Sequence, residues 1–260
     1  MVQSPATFAS STAAAIVPPA ARLYSVQRAP PSAKIVHLVR HAEGLHNVSP
    51  DHKTPPFLDS PLTPQGIEQC RQLSSRTKDL NVEVVLSSPL TRCLQTAMYS
   101  YEAALSPEKT AGDAKYGVPL VAQEDWRETV NFLCDARRPT SELRLSFPSA
   151  DFSCVTSESD PVWGEYETKF GCYKTHTGLR ESNDGVSLER RVRAAWAAVA
   201  DRPEMNVAVV SHSAIFMHMF TPYHDELKGV VTYEDDDVRE LMTAEGFGNC
   251  EMRTVAFEAP

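Results

Sequence analysis

The sequence predicts an α/β protein: a doubly wound, mostly parallel sheet in three layers, flanked by helices on both faces. Three observations carry that expectation. Short β-branched runs recur at Ile35–Val39, Val84–Leu86 and Val207–Val210, each of the length and composition of a buried strand. The second and third run directly into helix-like patterns, and a helix start follows the first across a polar loop, an alternation that argues a parallel sheet with crossover helices. Each run also stops at polar residues: Arg40-His41, Ser87-Ser88 and Ser211-His212. The carboxyl ends of parallel strands are where such sheets bind ligands.

Taken in order, residues 1–33 are rich in Ser, Ala and Pro, with no acidic residue before Glu43. This is the composition of a disordered arm; with Arg22 and Arg28 it also fits an organelle transit peptide, the alternative to a cytoplasmic protein. Residues 34–260 are expected to form one domain. After the first strand, Gly44 permits a tight loop, and Val48 to Pro61 is a polar connection. Thr63-Pro64 then opens a helix, Thr63 as N-cap and Pro64 at the first helical position, with Ile67, Cys70 and Leu73 on its inner face. Thr91 to Ala104 is the next helix, through Leu94, Ala97, Met98 and Tyr101. Val118 to Val121 reads as a short strand leading into an acidic loop, Gln123 to Glu128. Residues 129–184 show no sustained period and are expected to be an insertion that lids the crevice. Ser187 to Ala200 is a helix with Val192, Ala195, Trp196 and Val199 as its stripe, and Ala214 to Phe220 another. Glu234 to Asp237 reads as a solvated loop and Asn249 to Phe257 as an edge strand.

Composition bounds the partners. With 42% hydrophobic and 23% charged residues among 260, the chain has the balance of an ordinary globular protein. A formal net charge of −9 argues against nucleic acid or an anionic membrane as partner, since both call for a basic face. The six cysteines, Cys70, Cys93, Cys134, Cys154, Cys172 and Cys250, show no metal-type spacing and are expected to be free thiols in a reducing compartment. No run approaches the ~20 apolar residues of a membrane span.

The strand-end motifs, taken together, resemble the histidine phosphatase superfamily, also called the phosphoglycerate mutase-like family. That family's pattern is an Arg-His-Gly with a nearby Asn, a Leu-Thr-x-x-Gly, a Ser-x-x-x-Arg, an acidic proton donor, and a second His after a late strand. Arg40-His41 with Asn47, Leu62-Thr63-Pro64-Gln65-Gly66, Ser88 with Arg92, Glu128, and Ser211-His212 are the counterparts here, spread from about Ile35 to Phe257. Ala42 stands where most members carry Gly, and the Arg-x-x-Pro extension of the acid-phosphatase branch is absent. Arg127-Glu128, Cys134-Asp135-x-Arg137 and Phe147-Pro148-x-x-Asp151-Phe152 resemble a cytosolic-type group of fungal and plant members.

The resemblance implies a phosphomonoester hydrolase that works through a phosphohistidine on a small phosphorylated metabolite. The residues are consistent with that chemistry. Arg40 and Arg92 offer forked donors matched to phosphate, and His212, if cationic, adds a third. Positive surroundings favour the neutral form of His41 that can attack phosphorus. Glu128 is the expected proton donor, with Glu124 and Asp125 as rivals. Asn47, Thr63 and Ser213 are expected phosphate contacts, Asn47 and Thr63 alternatively loop-fixing residues. Arg137 and Arg138 are either a second anion contact or a solvated pair. No metal or other cofactor is expected, because the cationic side chains take the metal's electrostatic role. A phosphoglycerate mutase-type transferase uses the same residues and is the first alternative; a non-catalytic phosphate-binding module is the second. Singly, each residue has a plainer reading as a structural His or a surface charge. Oligomeric state is not legible.

Overall fold

The computed structural model describes residues 18–51, 53–106, 117–221 and 223–259. Its strands are β1 (Ala21–Tyr24), β2 (Lys34–Arg40), β3 (Val84–Ser87), β4 (Leu120–Ala122), β5 (Ala150–Asp151), β6 (Asn206–Ser211), β7 (Val231–Tyr233) and β8 (Met252–Glu258). The α-helices are α1 (Leu45–Val48), α2 (Pro64–Thr77), α3 (Thr91–Ser100), α4 (Glu102–Leu105), α5 (Thr140–Ser146), α6 (Pro161–Phe170), α7 (Gly185–Ala200), α8 (Ser213–Phe220) and α9 (Asp236–Thr243).

The strands form one sheet in the order β5-β4-β3-β6-β2-β8-β1-β7. All the pairings are parallel except those of β8, which runs antiparallel to both its neighbours, β2 and β1. Side-chain alternation along the strands divides the core in two. Val36, Leu38, Leu86, Val207 and Val209 pack beneath α7, α8 and α9 through Val192, Trp196, Ile215 and Met242. Val39, Val85, Ala208 and Val210 pack on the other face beneath α2 and α3 through Leu73, Cys93 and Ala97. The three-layer expectation is thereby met.

Local chemistry explains the helices that matter for the site. Thr63 Oγ1 accepts from Gly66 N at 2.9 Å, and Pro64 follows at the first helical position, as expected of α2. Gly66 is required there: a Cβ would stand 2.1 Å from Glu43 O. Gly44 has φ −99°, open to any residue, so a special backbone conformation is not what it supplies; its missing side chain leaves room for the His46 imidazole, 2.7 Å from the Cβ position. The expected helix 91–104 breaks at Tyr101 into α3 and α4. Helix α3 starts at Leu90, which has no capping oxygen. Asp59 supplies it from the connection between α1 and α2, accepting from Thr91 N (2.7 Å) and Thr91 Oγ1 (2.6 Å).

Four expectations require correction. Residues 18–33 are not an arm: Ala21 and Leu23 are fully buried and β1 sits between β8 and β7, while residues 1–17 lie outside the described ones. Because β1 covers it, β8 is an internal strand and not an edge. The acidic run Glu234–Asp237 is not merely solvated; Asp235 caps α9 by accepting from Val238 N at 3.0 Å, and carboxylates favour a helix N-terminus. Finally, residues 129–184 are not irregular. They contain α5, α6 and the sheet-edge strand β5. Arg137, buried, ties this segment down by donating to the carbonyls of Arg138, Ser157, Glu158 and Ser159 and by pairing with Glu124 at 2.8 Å. It is neither an anion contact nor solvated. Arg138 is likewise committed, to Asp59 (2.9 Å) and Thr91.

Candidate active site

A cavity of about 550 Å³ opens over the carboxyl ends of β2, β3 and β6, lined by Arg40, His41, His46, Asn47, Arg92 and Glu128 among others. The last residue of β2 is Arg40, and His41 follows at the turn. His41 N donates to Ser211 O on β6 (2.9 Å), and its own carbonyl accepts from Cys250 N and Asn249 Nδ2, each at 3.2 Å. The backbone of His41 is therefore held from both sides.

The imidazole is held as well. Its Nδ1 lies 2.7 Å from Ala42 O, an acceptor only, so Nδ1 carries the proton and Nε2 presents a lone pair. Burial first, and then the charges of Arg92, His46 and Arg40, hold the His41 pKa well below its ordinary value. The ring is neutral near pH 7.

Two guanidiniums face the cavity. Arg40 Nη1 donates to Phe247 O at 2.8 Å, and its Nε is buried with no hydrogen-bond partner among the described residues. Arg92, fully buried in α3, is fixed by Cys134 O (2.8 Å) and lies 3.5 Å from Asp135 Oδ1.

His212 departs from its expected part. It does not line the cavity; it stands behind His41 with ring centroids 5.0 Å apart. Its Nδ1 accepts from Arg92 Nε–H (3.3 Å), which leaves the proton on Nε2, 2.8 Å from Ser88 Oγ. Burial and Arg92 push its pKa well below the ordinary value. It is a neutral support and not a third cation. Thr63 is also off the cavity wall: beyond capping α2, its hydroxyl donates to Glu43 Oε1 at 2.7 Å, the loop-fixing alternative. Asn47 and Ser213 do line the cavity. Asn47 Oδ1 accepts from Gly44 N at 2.9 Å, which leaves the residue its N–H groups to offer.

Of the three acidic residues, only Glu128 reaches the cavity. Glu124 is bound in ion pairs to Arg127 (3.3 Å) and Arg137 (2.8 Å), and Asp125 lies outside. The Glu128 carboxyl sits at the start of α8, accepting from Ile215 N (3.0 Å), Ala214 N (3.2 Å) and Thr129 N (2.9 Å). Burial, and then the charge of Asp135, raise its pKa against the opposing pull of Arg92 and those amides. Asp135 is the wall residue that the sequence reading passed over as a site member. Buried, and raised by burial in turn, it accepts from Phe132 N (2.9 Å) and Asn131 N (3.2 Å). Two carboxyls around one guanidinium titrate as a pair. Its signal in the sequence was the Cys134-Asp135-x-Arg137 stretch. His46 was missed too, although its ring centroid is 5.3 Å from that of His41.

A sheet whose β2, β3 and β6 ends gather a neutral histidine, two arginines and a raised carboxyl defines a class of site suited to phosphate esters. Residues 36–144 match the histidine phosphatase superfamily (branch 1). A probable phosphoglycerate mutase, GpmB of Enterobacter sp. (strain 638), is 30% identical over 218 residues, covering 74% of this chain and 98% of that protein. A phosphoglycerate mutase-like protein of Arabidopsis thaliana is 28% identical over 248 residues, covering 85% and 83%. The solved structure of an ecdysone phosphate phosphatase from Bombix mori in complex with tungstate superposes with a TM-score of 0.51 at 16% identity, over 87% of this chain and 92% of that one; at that identity the likeness concerns the fold. The chain belongs to the histidine phosphatase superfamily. Among the described residues, no helix is long and apolar enough to cross a membrane.

Proposed function

We propose that the protein is a phosphomonoester hydrolase acting through a phosphohistidine at His41, on a small phosphorylated substrate and without a metal ion. One observation carries the reading: the Nδ1–H bond to Ala42 O leaves Nε2 of a buried, neutral imidazole as an available nucleophile between Arg40 and Arg92. Arg40, Arg92, Asn47 and Ser213 bind the phosphoryl oxygens, whose charge the two guanidiniums offset. Nε2 attacks phosphorus. As the ester P–O bond breaks, Glu128 gives its proton to the leaving oxygen. The Glu128 carboxylate then takes a proton from water, whose oxygen displaces Nε2 and releases phosphate. His212 positions Arg92 and the His41 ring.

The names of the relatives favour a mutase as the second reading. The cavity's composition weighs against it, since Arg40 and Arg92 are its only Lys or Arg side chains among the described residues and Glu128 and Asp135 share the wall. A phosphoglycerate carboxylate would meet no third Lys or Arg there among the described residues. Tests are direct. The wild type should hydrolyse an aryl phosphate at a rate that excess chelator leaves unchanged, and should accumulate an acid-labile, base-stable phosphate on His41 that His41→Ala abolishes. Phosphate mapped to another residue, or loss of rate on chelation that a divalent ion restores, would refute this reading; interconversion of phosphoglycerates outpacing phosphate release would favour the second.

A further inference from the structure

A second cavity, of about 370 Å³, lies between α8 and the end of α9 with the loop that follows. Its volume falls within the range of small-molecule sites. Its walls combine Phe216, Met217, Met242 and Phe247 with the polar Ser213, Thr221, Tyr223, Thr243 and Glu245, and among the described residues no Lys, Arg or His lines it. Two features join it to the phosphate cavity. Ser213 and Ala214 belong to both walls, and the Phe247 carbonyl at its floor accepts from Arg40 Nη1. The shared ridge is also where the acid stands: the Glu128 carboxyl is held by Ala214 N and Ile215 N. An ester oxygen protonated by Glu128 therefore lies beside the ridge, with the second cavity just across it.

We infer that this cavity receives the carbon skeleton of the leaving group, so that the substrate is the phosphomonoester of an alcohol with an apolar chain. The inference rests on the hydrolase reading for its chemistry, but the cavity's role as a binding site is separable from turnover. Burial of apolar surface against Phe216, Met217, Met242 and Phe247 supplies the dependence on chain length. The wall of Val48, Pro50 and Phe132 on the far side of the phosphate cavity is the competing place for such a chain.

The experiment uses the full chain and two series of equal length, ethyl to octyl. Alkylphosphonates, which cannot be hydrolysed, are titrated by calorimetry; alkyl phosphates are followed by phosphate release. Phosphonate affinity should rise roughly three- to fourfold per methylene until the cavity is full, and kcat/KM should rise with it. Ala244→Trp places an indole at an exposed residue on this cavity's wall and should flatten the ratio of octyl to ethyl affinity. Val48→Ser should leave that ratio as it is in the wild type. Length-independent affinity in the wild type overturns the inference, as does a length dependence that survives Ala244→Trp and disappears in Val48→Ser. Affinity that rises with length without turnover of any ester supports the cavity and sinks the hydrolase reading; turnover without a length effect does the reverse.

Discussion

Burial pushes His41 and Glu128 in opposite directions, because it disfavours a cation on one and an anion on the other. His41 is held well below its ordinary pKa and Glu128 is raised, which brings the active protonation state of both into one pH window. The sign follows from the role proposed for each. His41 attacks only when neutral, so activity is lost as pH falls through its depressed pKa, below the usual 6.5. Glu128 donates only when protonated, so activity is lost as pH rises through its raised pKa. For an alkyl phosphate, kcat/KM should therefore fall on both sides of that window. The substrate's own second ionisation, near pH 6 for a phosphomonoester, is common to all variants, so the readout is the difference between wild type and Glu128→Gln. That variant should lose roughly 10²–10⁴-fold with alkyl phosphates, lose its high-pH limb, and lose much less with nitrophenyl phosphate, whose leaving group needs little protonation. Glu124→Gln and Asp125→Asn should keep the leaving-group dependence. A selective loss in either of them, with Glu128→Gln near wild type, would move the acid. Arg40, His41 and Arg92 were legible because a strand end places them by local rules. Thr63 was not, since a capping threonine and a ligand-binding threonine look alike in sequence; nor was Asp135, brought to the wall by a loop turn that leaves no periodic trace.

At the scale of elements, the helix that presents Arg92 depends on a side chain from outside it. Leu90 cannot cap α3, and the fully buried Asp59 does so while binding Arg138 at 2.9 Å. One carboxyl thus joins the loop after α1, the start of α3 and the segment ahead of α5. Its removal leaves a buried amide, a hydroxyl and a guanidinium without their partner, and such losses cost more than the net value of the bonds themselves. Asp59→Ala should destabilise the fold by about 2–4 kcal/mol, and Asp59→Asn, which keeps an acceptor for Thr91 N, by less. Thermal unfolding checks the order, with a fall in Tm of roughly 4–16 °C for the alanine variant at this chain length. Equal Tm values for wild type and Asp59→Ala would show that α3 is capped by other means. Helices α2, α7 and α8 were legible from caps and apolar stripes. Helix α9 was not, because its first turn is the acidic run that also marks a solvated loop, and α5 and α6 were masked by the irregular polar surroundings of residues 129–184.

For the whole molecule, one missed strand accounts for two misreadings. Ala21 to Tyr24 alternates buried and exposed, but four residues in a Ser/Ala/Pro setting do not stand out against the composition of an arm. Once β1 is overlooked, β8 must look like an edge, and β7, which pairs only with β1 among the described strands, has nothing to join. The resulting dependence can be tested. A chain beginning at Ala33, compared with one beginning at Pro18, loses the buried Ala21 and Leu23, the partner of β7, and the tie between Tyr24 and Glu258 (3.0 Å). Leu23 alone is worth roughly 1.5–3 kcal/mol of burial, so a total loss of about 3 kcal/mol or more is expected against a stability of about 5–15 kcal/mol. Tm should fall by roughly 6–12 °C at this chain length. The shortened chain should also associate, because β8 would then present an unpaired row of backbone groups. The cavity lies over β2, β3 and β6, two or more strands away from β1. The folded fraction of the shortened chain should therefore keep the proposed phosphohistidine chemistry even as its stability falls. Full stability and a monomeric state in the chain beginning at Ala33 would return residues 18–33 to the status of an appendage.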